Sequence, residues 1–298
     1  MSSFHGPTLA GRRVLITGGA RGIGAALARR MHERGARVAI AGLEPKLLAD
    51  VAWDCGDAPW RYCDVGDRVA VDAAVNELVG ELGGLDVVVA NAGIAAQFPL
   101  VHGDPEVLEQ TLRVNVLGTY YTLRAAGPHV SHPLGYALPI ASMAAAVHLP
   151  LLGAYSASKA AVEALGDTLR EELRHTGAQV GVGYFTEIDT DMTSRGFGTA
   201  AAKALTKGKS LSISSVLPLD SAIDALERGI ARRSRRIVAP RWVGPALHVR
   251  MALQRIVAMD RRLASVPEAL RVAADEKAPL TTPQPERGDH EQPTDATP

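Results

Sequence analysis

Apolar residues fall along this chain in two kinds of stretch. The first is short, contiguous and rich in β-branched residues: "RRVLITGG", "ARVAIAG", "PWRYCDV", "LDVVVANAG", "YALPIAS", "AQVGVGYF" and "RIVAPRWV". Unbroken apolar runs, rather than alternating ones, predict strands covered on both faces. Between them lie stretches with helical spacing. Ile23, Leu27 and Met31 lead to a stop at Gly35, and further helices are expected over 67–82, from Glu106 to Ala126 and from Ala154 to His175. Strand alternating with helix predicts parallel pairing by crossovers, a doubly wound α/β sheet with helices on both faces. Such sheets bind ligands at the carboxyl ends of their strands.

This alternation fills residues 1–240, read as one domain. Residues 241–277 are predicted helical, with Leu247, Met251, Leu253, Ile256 and Val257 set among arginines. That pattern suits a lid, a subunit contact or an element lying on a membrane surface, and subunit or lid packing is favoured. Residues 278–298 hold five prolines and one leucine, too little apolar surface to offset ordering, so a disordered tail is expected.

Composition narrows the function. Of 298 residues 47% are hydrophobic, enough for a large core, and Lys+Arg balance Asp+Glu at 32 each. A neutral chain gives no reason to expect a nucleic-acid partner, and the cluster Arg228, Arg232, Arg233, Arg235 and Arg236 fits a helix end. The N-terminus lacks an apolar signal region and no uninterrupted apolar run of membrane-spanning length occurs, so a cytoplasmic protein without a transmembrane span is expected. Cys55 and Cys63 form no metal-binding pattern and read as free thiols.

The first strand runs into "TGGARGIG", residues 17–24, which opens the first helix. Glycines between strand and helix let backbone approach a pyrophosphate whose charge is favoured at the helix N-terminus. Gly18, Gly22 and Gly24 are spaced more loosely than the usual dinucleotide fingerprint. Further along come "NAG" at Asn91–Gly93, Asn115 in "RVNVLGT", Ser142, and "YSASK" at 155–159, with Tyr155 thirteen positions after Ser142. Together and in this order they resemble the short-chain dehydrogenase/reductase family, over roughly residues 10 to 240. The resemblance implies a Rossmann-type fold, a nicotinamide dinucleotide and an oxidoreductase acting on alcohols or carbonyls.

Tyr155 and Lys159 are four apart on a predicted helix and so share a face. Free tyrosine ionises near pH 10, and a neighbouring ammonium pulls that value down; three units require roughly 4 kcal/mol. By resemblance, Tyr155 is the general base in alcohol oxidation and the general acid in carbonyl reduction. Lys159 lowers its pKa and holds the nicotinamide ribose, Ser142 bonds the substrate oxygen, and Asn115 holds a proton-relaying water. Cofactor contacts are implied for Gly18, Arg21, Gly22, Ile23 and Gly24, for Asp64 and Val65 near the adenine, for Asn91, Ala92 and Gly93, and for Ile188 and Thr190 near the nicotinamide.

Two departures from the family pattern stand out. Gly42 occupies the position where NAD-using relatives carry aspartate, which with Arg21 as a phosphate partner favours NADP(H); Glu44, able to reach a ribose hydroxyl, keeps NAD(H) open. "GYFTEIDTDM" places Phe185 and Thr186 where the family has Pro-Gly, with the charged Glu187 next. The segments "IAAQFPL", "MAAAVHLPLLGA" and "DMTSRGFGTAAAKAL" are expected on the substrate side, and their apolar character suits a lipophilic alcohol or ketone. His148 either orients a polar substrate group or is merely solvated. A homo-dimer or homo-tetramer is expected by analogy. The rival reading is a dinucleotide-binding regulatory or scaffold protein without turnover.

Overall fold

The computed structural model describes residues 8–196, 199–206, 216–259, 265–276, 280–282 and 284. Its centre is a parallel sheet. Strands β1 (Arg13–Thr17), β2 (Arg37–Gly42), β3 (Trp60–Tyr62), β4 (Val87–Ala90), β5 (Tyr136–Pro139) and β6 (Gln179–Val180) lie in the order β3-β2-β1-β4-β5-β6. The chain beyond β6 continues as β7 (Val182–Phe185), paired in parallel with β8 (Arg236–Ala239), and a bridge between Ile140 and Gly183 joins this pair to β5. The reversal beside β1, where β2 turns one way and β4 the other, opens the crevice expected of a doubly wound sheet.

The all-apolar strand pattern has its predicted cause. Alternate residues of β1 enter opposite cores: Val14 and Ile16 pack with Leu27 and Met31 of helix α1 (Gly22–Glu33), and Leu15 packs with Val75 and Leu78 on the other face. The residues between β2 and β3 form a helix the pattern reading did not separate, α2 (Pro45–Asp54), with Leu48, Val51 and Ala52 buried at helical spacing. Helix α3 (Arg68–Leu82) is capped by the Asp67 carboxylate, which accepts from the Val69 and Ala70 N–H groups. Cys55 and Cys63 are free and buried, and burial pushes their thiols up to about 11 and about 12.

The long helix expected from Glu106 runs in three parts. Helix α4 (Pro105–Leu112) passes through a π-helical stretch at Arg113–Leu117 into α5 (Gly118–Val130). Such single wide turns often accompany functional sites, and this one carries Asn115. Helix α6 (Gly153–Leu173) follows and presents Tyr155 and Lys159 in its first two turns. Two short helices not separated in the sequence reading, α7 (Asp191–Gly196) and α8 (Ala200–Thr206), precede α9 (Leu219–Arg232). The arginine cluster does begin at a helix end, with Arg232 in the last turn of α9 and Arg233 as its left-handed C-cap.

After β8 come α10 (Val243–His248), α11 (Arg250–Ala258) and α12 (Val266–Ala274). Val243, Ala246 and Leu247 are packed with Val162, Val182 and Tyr184, so α10 lies in the core of the sheet domain. Beside it, Glu163 of α6 is buried, accepting from the Tyr184 hydroxyl at 3.0 Å and from both terminal nitrogens of Arg250 at 3.0 and 2.9 Å. The apolar set expected on one helix divides: Leu253 and Val257 pack on the same cluster, while Met251 and Ile256 are exposed. Helix α12 instead packs on α8, where Ala269 and Ala273 meet Ala201, Leu205 and Leu151.

The expectation of a disordered tail over 278–298 needs correction where the structure describes it. Thr281 is buried, and Leu280, the segment's one leucine, packs against Ala96, Phe98 and Val107. Composition judges a segment in isolation; here a surface already built by the rest of the chain receives it. The other residues of that stretch, apart from Thr282 and Gln284, lie outside the described residues.

Candidate active site

One cavity of about 610 Å³ lies over the carboxyl ends of β1, β2, β4, β5 and β7. Its size suits a cofactor with a small substrate. Of the residues marked out in the sequence, Gly18, Arg21, Gly22, Ile23, Asp64, Val65, Asn91, Ala92, Gly93, Ser142, Tyr155, Lys159, Ile188 and Thr190 all line it. Gly24 and Asn115 do not; they stand directly behind its wall.

The glycine turn is built by contact. Gly18 has φ +68°, a left-handed backbone that glycine adopts without strain, and a Cβ there would fall 2.7 Å from the Ala92 Cα. At Gly24 a Cβ would fall 2.1 Å from the Gly18 carbonyl oxygen, because the first turn of α1 packs onto the turn itself. Asn91 locks the same corner, its Nδ2 donating to the carbonyls of Thr17 at 3.1 Å and Gly18 at 3.2 Å. Gly24→Ala is therefore expected to spread the turn and lower dinucleotide affinity at least about tenfold by isothermal titration. An unchanged affinity would show that the turn does not face the ligand.

At the far end, Lys159 is buried, with Nζ donating to the Ile140 carbonyl at 2.9 Å and lying 5.6 Å from the centre of the Tyr155 ring. Burial lowers its ammonium from 10.5 to about 8. Burial likewise pushes the Tyr155 phenol up, opposed by a side-chain hydrogen bond with Ser142. The Ser142 hydroxyl also donates to the Phe185 carbonyl at 3.3 Å and accepts from the Ala144 N–H at 3.1 Å, which fixes it at the head of a short 3-10 turn, Met143–Ala145. Asn115 is fully buried. Its Oδ1 accepts from the Ile94 N–H at 2.8 Å, and its Nδ2 donates to the Ile94 carbonyl and to Ser158 Oγ, both at 2.9 Å. The Asn115 side chain is thus spent on protein partners, tying the loop after β4 to α6. Gly93 lies against this tie, since a Cβ there would sit 3.3 Å from Asn115 Oδ1 and 3.4 Å from Lys159 Nζ.

The sequence reading missed three things here. Arg21 is already engaged: it makes a two-pronged ion pair with Glu44, with Nε to Oε2 at 2.7 Å, and its Nη1 reaches Asp191 at 2.8 Å. The guanidinium expected to meet a 2′-phosphate serves two carboxylates instead, from segments that only folding brings together. Asp64 in turn accepts from Arg113 at 3.0 Å and from the Gly66 N–H. Thr281, Thr282 and Gln284 also line the cavity, and nothing in their local sequence singles them out, whereas Gln97 lines it from a segment expected on the substrate side. His148 is exposed and outside the cavity, its backbone held by Gln254, so the solvated reading is the one the fold supports.

A nicotinamide dinucleotide fits this cavity. The two glycine contacts leave bare backbone at the turn, and the buried Thr186 Oγ1, in the cavity wall, has no hydrogen-bond partner within the protein. Residues 12–201 match the family model described as short chain dehydrogenase. The chain belongs to the short-chain dehydrogenase/reductase family. Among relatives of this short-chain dehydrogenase/reductase, D-threitol dehydrogenase of Mycolicibacterium smegmatis is 32% identical over 67% of this chain and 78% of its own. The 11-beta-hydroxysteroid dehydrogenase-like 6 of Arabidopsis thaliana is 31% identical over 79% of this chain and 72% of its own. The chain spans little more than half, 57%, of the length of a Mycobacterium tuberculosis oxidoreductase it also matches at 31% identity. In fold it resembles a short-chain dehydrogenase/reductase from Burkholderia phymatum in complex with NAD, with TM-score 0.72 at 21% identity over 83% of this chain and 96% of that one. Among the described residues no helix is long and apolar enough to cross a membrane.

Proposed function

We propose that this chain is an NAD(P)-dependent oxidoreductase that interconverts a secondary alcohol and a carbonyl, with Tyr155 as the proton-transferring group. The observation that carries the reading is the convergence of Ser142, Tyr155 and Lys159 on the cavity that begins at the glycine turn. Bound there, the dinucleotide supplies the hydride acceptor or donor. The protein's own groups handle the proton. In oxidation the Tyr155 oxygen takes the proton from the substrate hydroxyl as the carbon gives up its hydride; in reduction the phenol returns that proton to the carbonyl oxygen. Ser142, held by Phe185 and Ala144, bonds the same oxygen while its charge changes. Lys159 supplies the positive charge that offsets burial of a phenolate, and Asn115 fixes the loop and helix that carry it.

The cofactor-binding set is Gly18, Gly22, Ile23, Asp64, Val65, Asn91, Ala92, Gly93, Ile188 and Thr190, with Thr186 added for its unpartnered hydroxyl. Of the two cofactors, NAD(H) is the better match, against the leaning drawn from Gly42 and Arg21. Arg21 is outnumbered by Glu44 and Asp191, and a 2′-phosphate beside them meets net negative charge. Calorimetry should find NADH binding at least about tenfold tighter than NADPH. The reverse order would restore Arg21 as a phosphate ligand.

The wall near Ser142 is formed by Met143, Ala144, Val147, Leu149, Leu152 and Met192, which supports a substrate with an apolar body. A homo-oligomer of cytoplasmic location belongs to the same proposal. One feature favours the second reading, a dinucleotide-binding protein without turnover: Phe185 and Thr186 replace the Pro-Gly pair and Glu187 brings a carboxylate to the cavity. Assays at 340 nm on a panel of lipophilic alcohols and ketones, in both directions, decide between them. Tight dinucleotide binding with no turnover on any member would favour the second reading.

A further inference from the structure

The described residues after α12 border the cofactor cleft as a stretch, and three observations place it. Where it starts, the Glu276 carboxylate accepts from the N–H groups of Ala200 and Ala201 at 2.9 and 3.0 Å, capping α8 beside the substrate end. In the middle, Thr281 pairs with Ala95 in both directions: its N–H donates to the Ala95 carbonyl at 3.2 Å, and its Oγ1 accepts from the Ala95 N–H at 3.1 Å. Ala95 stands two residues beyond Gly93, on the loop that forms one lip of the cleft. At the far end, Gln284 Oε1 accepts from Gln110 at 3.3 Å, Gln110 accepts from Arg113 at 3.1 Å, and Arg113 holds Asp64 at 3.0 Å. These contacts thus lie between α8 and the wall expected to face the adenine.

Thr281 itself is seated in the protein, only 3% exposed. With it in place the cavity still measures about 610 Å³, lined by Thr281, Thr282 and Gln284 together with Asp64, Gly93 and Lys159. It walls the cleft without filling it.

We propose that Thr281 and Gln284 are positioning residues of the dinucleotide site, and that together with Thr282 they form a clasp over the bound cofactor. This rests on the reading of the cavity as the NAD(P) site. A cofactor under the clasp leaves only when the Thr281–Ala95 and Gln284–Gln110 bonds open, so the clasp acts on dissociation more than on chemistry. Because its far end reaches the Asp64 wall, it acts on the adenosine half.

Stopped-flow fluorescence can follow NADH leaving the full chain and a chain ending at Glu276. The shortened chain should release NADH about tenfold faster, and ADP-ribose, which lacks the nicotinamide, should show the same ratio by competition. Thr281→Val leaves the chain at full length and removes only the Oγ1 acceptor; about threefold faster release is expected, the scale of one hydrogen bond. Release rates within twofold of the full chain in both variants would overturn the clasp while leaving the cofactor site intact. A raised substrate KM with unchanged NADH release would also overturn it, assigning the segment to the substrate side. A full chain that binds neither NADH nor ADP-ribose would remove the site reading itself, and the clasp with it.

Discussion

Replacing Tyr155 by phenylalanine is expected to cut turnover by about 10² to 10⁴ while leaving dinucleotide affinity within about twofold, the scale of a lost general acid–base group. The substitution keeps the ring that lies beside Lys159 and removes only the hydroxyl oxygen proposed to exchange the proton. A drop in affinity that matched the drop in rate would assign the tyrosine to binding instead. The sign of the pH dependence follows from the same group. Burial holds the phenol above its ordinary value, so the ionised form required for oxidation grows as pH rises. Oxidation should therefore accelerate and carbonyl reduction slow with increasing pH, measured as kcat at saturating cofactor. The opposite slopes would reject tyrosine as the titrating group.

Replacing Lys159 by methionine should abolish turnover and yet stabilise the cofactor-free protein. The lysine is buried with an ammonium pKa of about 8 against 10.5 for the free side chain. Below pH 8 both folded and unfolded chains carry the proton, and the folded chain bears the full penalty of a buried charge. Between about 8 and 10.5 the folded chain has lost the proton and the unfolded chain has not, so the penalty fades as pH rises. Above 10.5 it is gone. The difference corresponds to about 3 kcal/mol at pH 7, less whatever the Ile140 hydrogen bond returns. Urea unfolding at pH 7 and pH 10 checks both size and trend. A variant less stable than the parent at pH 7 would contradict the burial account.

The architecture was legible because its physics is local. A strand covered on both faces shows itself as a run such as "VLIT", and Tyr155 and Lys159 declare a shared helix face by their spacing. Helix α2 carries the same signal in Leu48, Val51 and Ala52. What could not be read depends on segments far apart in the chain. Arg21 looked like a phosphate ligand because Glu44 and Asp191 meet it only in the folded molecule. Asn115 was recognisable from the residues around it, but its full engagement by Ile94 and Ser158 is a property of packing. The C-terminal stretch was judged by its own composition, whereas Leu280 and Thr281 are held by a surface and a pair of backbone groups that other residues supply.

The Glu163 ion pair has a consequence for anyone exchanging parts between homologues. Glu163 lies one turn beyond Lys159 on the same helix, and Arg250 comes from the stretch that follows the sheet domain. A chimaera that takes the last fifty residues from another family member, without a matching partner at 163, leaves Glu163 with the Tyr184 hydroxyl but without its counter-charge, inside the helix that carries Tyr155. The two positions form an inheritance unit: grafted together they preserve the helix, and grafted separately they disturb it from within.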